Sequence, residues 1–140
     1  MSECRAVAKE LIDELIRNGK CTIAEIAGSL RRGEEYTHDV DIVCADPTLP
    51  KEKQVIKRFK KNSCSIDLDS ANPVHFGAML LTYTGPKGSN IGMRIKAKKK
   101  GMKLNQYGLY KNHDLIASET EEEIYSALGK SWKPPELRGK

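Results

Sequence analysis

The chain has 140 residues, a formal net charge of +5 and 39% hydrophobic residues. That length holds one domain, or two small subdomains sharing a core. No apolar run reaches membrane-spanning length and the opening MSECRAVAKE is not a signal peptide, so a soluble, intracellular protein with no membrane partner is expected.

Residues 3 to 18 place Val7, Leu11 and Leu15 with Ile12 and Ile16 at helical spacing, and Gly19 supplies a stop. CTIAEIAG then reads as a short strand leading into a Gly28-Ser29 turn, and DVDIVCA as a second strand broken by Asp46-Pro47. PKEKQVIKRFKK is amphipathic, with Val55, Ile56 and Phe59 on one side and lysines elsewhere. SCSIDLD is a third strand, with Cys64, Ile66 and Leu68 on one face and Ser65, Asp67 and Asp69 on the other. NPVHFGAMLLTY, apolar most of the way round and entered at Pro73, predicts a buried helix, which TGPKG interrupts. A basic helix follows from about Ser89 to Lys100 and stops at Gly101. LNQYGLYKNHDLIAS predicts a hairpin turning at Lys111–Asp114, and Thr120 with Glu123 forms a capping box for a last helix ending at Gly129. KPPELRGK reads as an extended tail. The cysteines Cys4, Cys21, Cys44 and Cys64 are scattered without metal-ligand spacing and read as reduced thiols.

Charge is unevenly placed. Residues 87–103 are dense in Lys and Arg and hold no acid, whereas SETEEEIY is acidic. A basic block is most often a solvated face, but one so dense and one-signed also suits a phosphate backbone.

The candidate chemistry lies in GSLRRGEEYTHDVDIVC, residues 28–44. In a strand, Asp39 and Asp41 point one way while Val40 and Ile42 point into a core, and paired carboxylates repel unless a cation sits between them. The cation is a divalent metal or the nearby Arg31 and Arg32. Gly28 and Ser29 would let backbone amides approach a phosphate, and Arg32 would add a forked donor. Mg²⁺, a hard cation, takes carboxylate and phosphate oxygens together. A third carboxylate from the next strand, Asp67 or Asp69, would complete a two-metal site.

GS, RR and DxD in this order, with an acidic strand behind, resemble the nucleotidyltransferase fold, and GSLRRG followed by DVD resembles the palm of family X DNA polymerases. SIDLD is similar to that family's third catalytic strand, TYTG to its aromatic-Thr-Gly turn, NIGMR to its nucleotide- and template-contacting helix, and LNQYGLY to its C-terminal hairpin. TEEEIYSALGKSWKPPELR resembles the family's usual ending, so the likeness spans residues 5 to 138. It implies an α+β architecture: a palm with a mixed sheet flanked by helices over residues 1–82, and a small C-terminal α/β subdomain for nucleotide and template over 83–140. It also implies a monomeric DNA-directed DNA polymerase that fills short gaps in primer–template or gapped duplex DNA from deoxynucleoside triphosphates. Two Mg²⁺ ions, replaceable by Mn²⁺, would serve it.

By the same resemblance, Asp39, Asp41 and Asp67 hold the metals and carry catalysis. Gly28, Ser29 and Arg32 hold the β- and γ-phosphates, Tyr83 and Gly85 pack on the sugar, and Asn90 reaches the base. Arg94 meets the template, and Lys96, Lys98, Lys99 and Lys100 the DNA backbone. HDVD resembles the version found in terminal transferase and end-joining members, which places His38 near the triphosphate and primer end and raises the alternative of addition to untemplated ends. A small nucleotidyltransferase with another acceptor is a further alternative. The large members' lyase domain has no counterpart in the likeness, so lyase activity is not expected. Plainer readings stand for the rest: His75 in packing, His113 in a turn, Asp69 a strand-end or capping acid, Arg31 an ion pair within the palm, and Tyr107, Tyr110 and Trp132 core or subdomain contacts.

Overall fold

The computed structural model describes residues 3–140. Helix α1 (Glu3–Arg17) buries Cys4, Val7, Ala8 and Leu11, a stripe at helical spacing. It lies on a four-stranded sheet made of β1 (Ile23–Ala27), β2 (Asp39–Ala45), β3 (Gln54–Lys61) and β4 (Cys64–Ala71). The strand order is β1-β2-β4-β3, with β2 and β4 parallel and the outer pairings antiparallel. Val40, Ile42, Cys44, Ile66 and Leu68 face α1 and form the first core. A four-residue turn of helix, α2 (Gly28–Arg31), follows β1 directly.

The opposite face of the sheet is covered by α3 (Phe76–Thr84), which is buried on nearly all sides, as its apolar sequence predicts. Met79 and Leu80 pack there against Val43 and Ala71. The helix is also shared with a second core. Ala78 and Leu81 meet Met93 and Ala97 of α4 (Lys87–Lys99), and Ile124, Tyr125 and Leu128 in or just after α5 (Glu121–Ala127). A meander of β5 (Lys103–Asn105), β6 (Gly108–Lys111) and β7 (Asp114–Ala117) closes that core. The fold is therefore α+β, with a mixed sheet flanked by helices. None of the helices among the described residues is long and apolar enough to cross a membrane.

Three expectations are corrected. PKEKQVIKRFKK groups Val55, Ile56 and Phe59 on one side only if it is helical, yet it forms β3. Asn62 and Ser63 both take positive φ, 49° and 69°, making a two-residue turn that pairs Lys61 with Cys64. That turn, with the twist that antiparallel hairpins favour, lays β3 against β4 and overrides the helical pattern. The cysteines are not free: Cys4 pairs with Cys64 and Cys21 with Cys44, across 60 and 23 residues. Packing α1 on the sheet brings Cys4 to a Cα distance of 5.8 Å from Cys64, and the connection into β1, which pairs with β2, sets Cys21 5.7 Å from Cys44, both within bridging distance. The tail is not simply extended, for Pro135–Leu137 forms a 3₁₀ turn that delivers a fully buried Arg138 side chain.

Candidate active site

Strand alternation buries Val40 and Ile42 and leaves Asp39 and Asp41 on the face away from α1. The parallel register sets Asp41 opposite Asp67 and Asp39 opposite Ser65, so the three expected carboxylates share that face. Because β1 pairs Ala27 with Asp41, the Gly28-Ser29 turn begins beside the carboxylate row. Gly28 has φ 62°, and a Cβ at that position would overlap Asp41 Oδ2. Only glycine permits this approach.

The row carries more negative charge than its neighbours offset. Burial, then repulsion from Asp67 and Asp39, pushes the Asp41 carboxyl up to about 6 against the pull of Arg32. Asp69, expected to cap or end its strand, is instead buried inside β4, 1% exposed. Burial, then repulsion from Asp41 and Asp67, pushes it up to about 7, and its Oδ2 has no hydrogen-bond partner. Such a surplus, offered entirely by hard carboxylate oxygens, suits Mg²⁺ or Mn²⁺. Among the described residues no three ligands converge as a preformed metal cage. Asp67 is engaged instead by Arg58 of β3, Nε to Oδ1 3.6 Å.

A cavity of about 560 Å³ opens from this row. It is lined by Gly28, Ser29, Arg32, Asp39, Asp41, Tyr83, Gly85, Asn90 and Arg94, all singled out by the sequence, together with Thr82, Thr84, Pro86, Lys87 and Ile91. Arg32 Nη1 donates to the Thr84 carbonyl at 2.6 Å, tying α2 to the turn after α3. Asn90 Nδ2 donates to the Thr82 carbonyl at 2.9 Å, and the Gln54 amide donates to the Tyr83 hydroxyl. Asn90, Arg94 and Lys98 follow one another at i, i+4 and i+8 along α4, so the cationic ridge runs out of the cavity. Lys96, Lys99 and Lys100 lie outside it, in a smaller depression of about 340 Å³ with Gly92 and Ile95.

His38 is not brought into this cavity. Its Nδ1 is 3.8 Å from Cys4 Sγ, and it lines a separate cleft with Glu35, Tyr36 and Thr37. His75 packs as expected: its Nε2 accepts from the Glu52 amide at 2.9 Å, and its Nδ1 lies 2.6 Å from the Tyr107 carbonyl. His113 occupies the β6–β7 turn at φ 70°.

Two features escape the sequence. Arg58 reaches Asp67 because β3 is a strand, and the Asn62-Ser63 turn was the available signal. The other is Glu121. Arg31 Nη1 and Nη2 donate to its two oxygens at 2.7 and 2.9 Å, and Arg138 Nη1 and Nη2 do so at 3.0 Å each. Trp132 Nε1 adds a bond at 3.1 Å, and Arg31 also donates to Thr84 Oγ1 at 2.9 Å. Arg31 thus pairs across to α5, rather than within residues 1–82 as expected. Burial alone would raise the Glu121 carboxyl, but the bonds and charges of Arg31 and Arg138 hold it down at about 2. The capping box at Thr120, whose hydroxyl accepts from the Glu123 amide at 3.1 Å, marks where α5 starts but not what Glu121 meets.

Residues 79–139 match the family model for the DNA polymerase beta thumb. The chain is 35% identical over 136 aligned positions to a repair DNA polymerase X of African swine fever virus, covering 79% of this chain and 78% of the relative. It is 28% identical over 153 positions to the DNA polymerase/3′-5′ exonuclease PolX of Bacillus subtilis, covering 94% of this chain but 27% of that protein. A 62-residue stretch is 42% identical to DNA polymerase IV of Saccharomyces cerevisiae, covering 44% of this chain.

Proposed function

The chain belongs to the family X DNA polymerases, and we propose that it is a minimal DNA-directed polymerase that extends a primer 3′-hydroxyl by two-metal-ion catalysis and fills short gaps in repair. Residues 1–82 act as the nucleotidyltransferase palm, and 83–140 as the nucleotide- and template-binding subdomain. The observation that carries this reading is the carboxylate row itself. Asp41 stands in register with Asp67, the Gly28 turn is pressed against Asp41, and one cavity runs from there to α4.

Asp39, Asp41 and Asp67 would hold the cations, a divalent pair whose charge would favour ionisation of the attacking hydroxyl and steady the leaving pyrophosphate. Asp67 also helps take the proton of the primer 3′-hydroxyl as its oxygen bonds to the α-phosphorus and the bond to pyrophosphate breaks. The amides of Gly28 and Ser29 and the guanidinium of Arg32 grip the β- and γ-phosphates. Arg32 gives Nη1 to Thr84, and its Nη2 lies 3.7 Å from the exposed Glu34 carboxylate, a loose pair that leaves N–H donors for phosphate oxygens. Tyr83, held by Gln54, and Gly85 bound the sugar, while Asn90 meets the edge of the incoming base. Arg94 contacts the template, and Lys96, Lys98, Lys99 and Lys100 continue along the DNA backbone.

The test is extension of a labelled primer on gapped, templated and single-stranded DNA with Mg²⁺ or Mn²⁺. Metal-dependent, template-directed extension, strongest on short gaps, is expected. Transfer of a nucleotide only to acceptors other than a DNA primer would overturn the reading.

A further inference from the structure

Beyond β4 the sheet ends in β3, which carries Lys57, Arg58, Lys60 and Lys61. Alternation sends Lys61 to the α1 side, where its Nζ is 3.9 Å from Glu14 Oε2. Arg58 and Lys60 lie on the carboxylate face instead, opposite Asp67 and Ser65. The nucleotide cavity occupies the other flank, since its walls come from α2, β2, the α3–α4 turn and α4. A strand whose 3′ end must reach Asp67 while a triphosphate fills that cavity therefore approaches over β3.

We propose that Arg58 is a phosphate ligand of the primer strand which closes on Asp67 in the substrate-free protein, so that cation binding at Asp67 and primer binding on β3 favour each other. The inference rests on reading the chain as a polymerase. Arg58 is 73% exposed and Asp67 43%, and a pair so exposed shifts an equilibrium by about fivefold at most. A divalent cation competing for the same carboxylate displaces such a partner. The freed guanidinium presents a planar fork matched to phosphate oxygens, on the strand that already aligns Lys60 beside it. Because binding linkage is reciprocal, primer that captures Arg58 exposes Asp67 to the metal by the same factor. Arg58 is a positioning residue: it sets the order of the site without touching the reacting atoms.

The experiment needs no turnover. Binding of a dideoxy-terminated primer–template is measured by fluorescence anisotropy across a salt series, with and without Mn²⁺, for the parent, Arg58→Ala, Arg58→Lys and the control Lys9→Ala, an exposed position of α1 on the other side of the sheet. Mn²⁺ binding to the DNA-free proteins is measured separately. In the parent and in Lys9→Ala, Mn²⁺ should strengthen primer binding by about threefold to fivefold. Arg58→Ala should lose that enhancement, bind Mn²⁺ about threefold more tightly without DNA, and show a log–log salt slope shallower by about 0.9. Arg58→Lys should retain the parent's slope. Arg58→Ala with the parent's slope and enhancement would overturn the role of Arg58 while leaving the polymerase reading intact. A parent that binds no primer–template would overturn both.

Discussion

Glu121 and Asp41 are both carboxylates drawn out of solvent and placed near an arginine, yet their surroundings drive them in opposite directions. Glu121 receives two bidentate guanidinium pairs and an indole N–H, and is held down at about 2. Asp41 sits beside Asp39 and Asp67, with Asp69 behind, and is pushed up to about 6. One region satisfies its own charge and needs nothing further. The other leaves its charge unsatisfied, which costs stability and creates the attraction for a cation. Both meet the same GSLRRG turn, since Arg31 pairs with the first and the charge of Arg32 acts on the second. The structural acid thereby fixes the turn that the site depends on.

The largest effect on stability is expected at the satisfied acid. Glu121→Gln leaves Arg31 and Arg138 without their carboxylate and should cost about 3–5 kcal/mol in urea unfolding. A loss below about 1 kcal/mol would place the pair among weak surface interactions. Next come the two bridges, Cys4–Cys64 from α1 to β4 and Cys21–Cys44 from the α1–β1 connection to β2. Opening either disulfide by a Cys→Ser pair should cost about 2–4 kcal/mol, with the longer, 60-residue span the costlier. At the unsatisfied acid the sign reverses. Asp69→Asn should stabilise the metal-free protein at pH 7 by about 1–3 kcal/mol, the cost of a buried polar group left without a partner.

The smallest effect is on pH dependence, and its sign separates the two regions. Glu121 has a lowered carboxyl, so its contribution is present above its ordinary 4.5 and fades as pH falls toward about 2. Asp41 and Asp69 have raised carboxyls, so their contribution is present below their ordinary 3.8 and is lost as pH rises through about 6 and about 7. Metal-free stability should peak where these windows meet, near pH 4, and Mg²⁺ or Mn²⁺ should flatten the decline above it. Stability that climbs steadily to pH 8 without metal would contradict the uncompensated row.

Much of the row was legible because a strand's period of two is short and local. DVDIVCA and SIDLD show their buried and exposed faces directly, and GS before DxD shows the turn. The contacts that escaped are those made between elements. Val55, Ile56 and Phe59 match a helix until the Asn62-Ser63 turn is weighed, and with β3 unread, Arg58 had no visible partner. No local spacing announces Cys4 beside Cys64, or Arg138 beside Glu121. Asp69 differs from Asp67 only in standing one alternation deeper under α3, where water no longer reaches it. His38 is a neighbour of Asp39 in sequence, but alternation turns it to the opposite face, against Cys4.

The choice between these two aspartates tests the account most directly. Single-turnover extension of a gapped primer should be measured for Asp67→Asn and Asp69→Asn side by side, with DNA binding followed in parallel. Asp67→Asn should lose at least about 10³-fold in rate, the scale on which losing a principal electrostatic stabiliser acts, with DNA still bound. Asp69→Asn should extend within about tenfold of the parent, the lower bound for losing a supporting residue behind the ligands. Near-parental extension by Asp67→Asn with loss in Asp69→Asn would contradict the assignment of the third metal ligand.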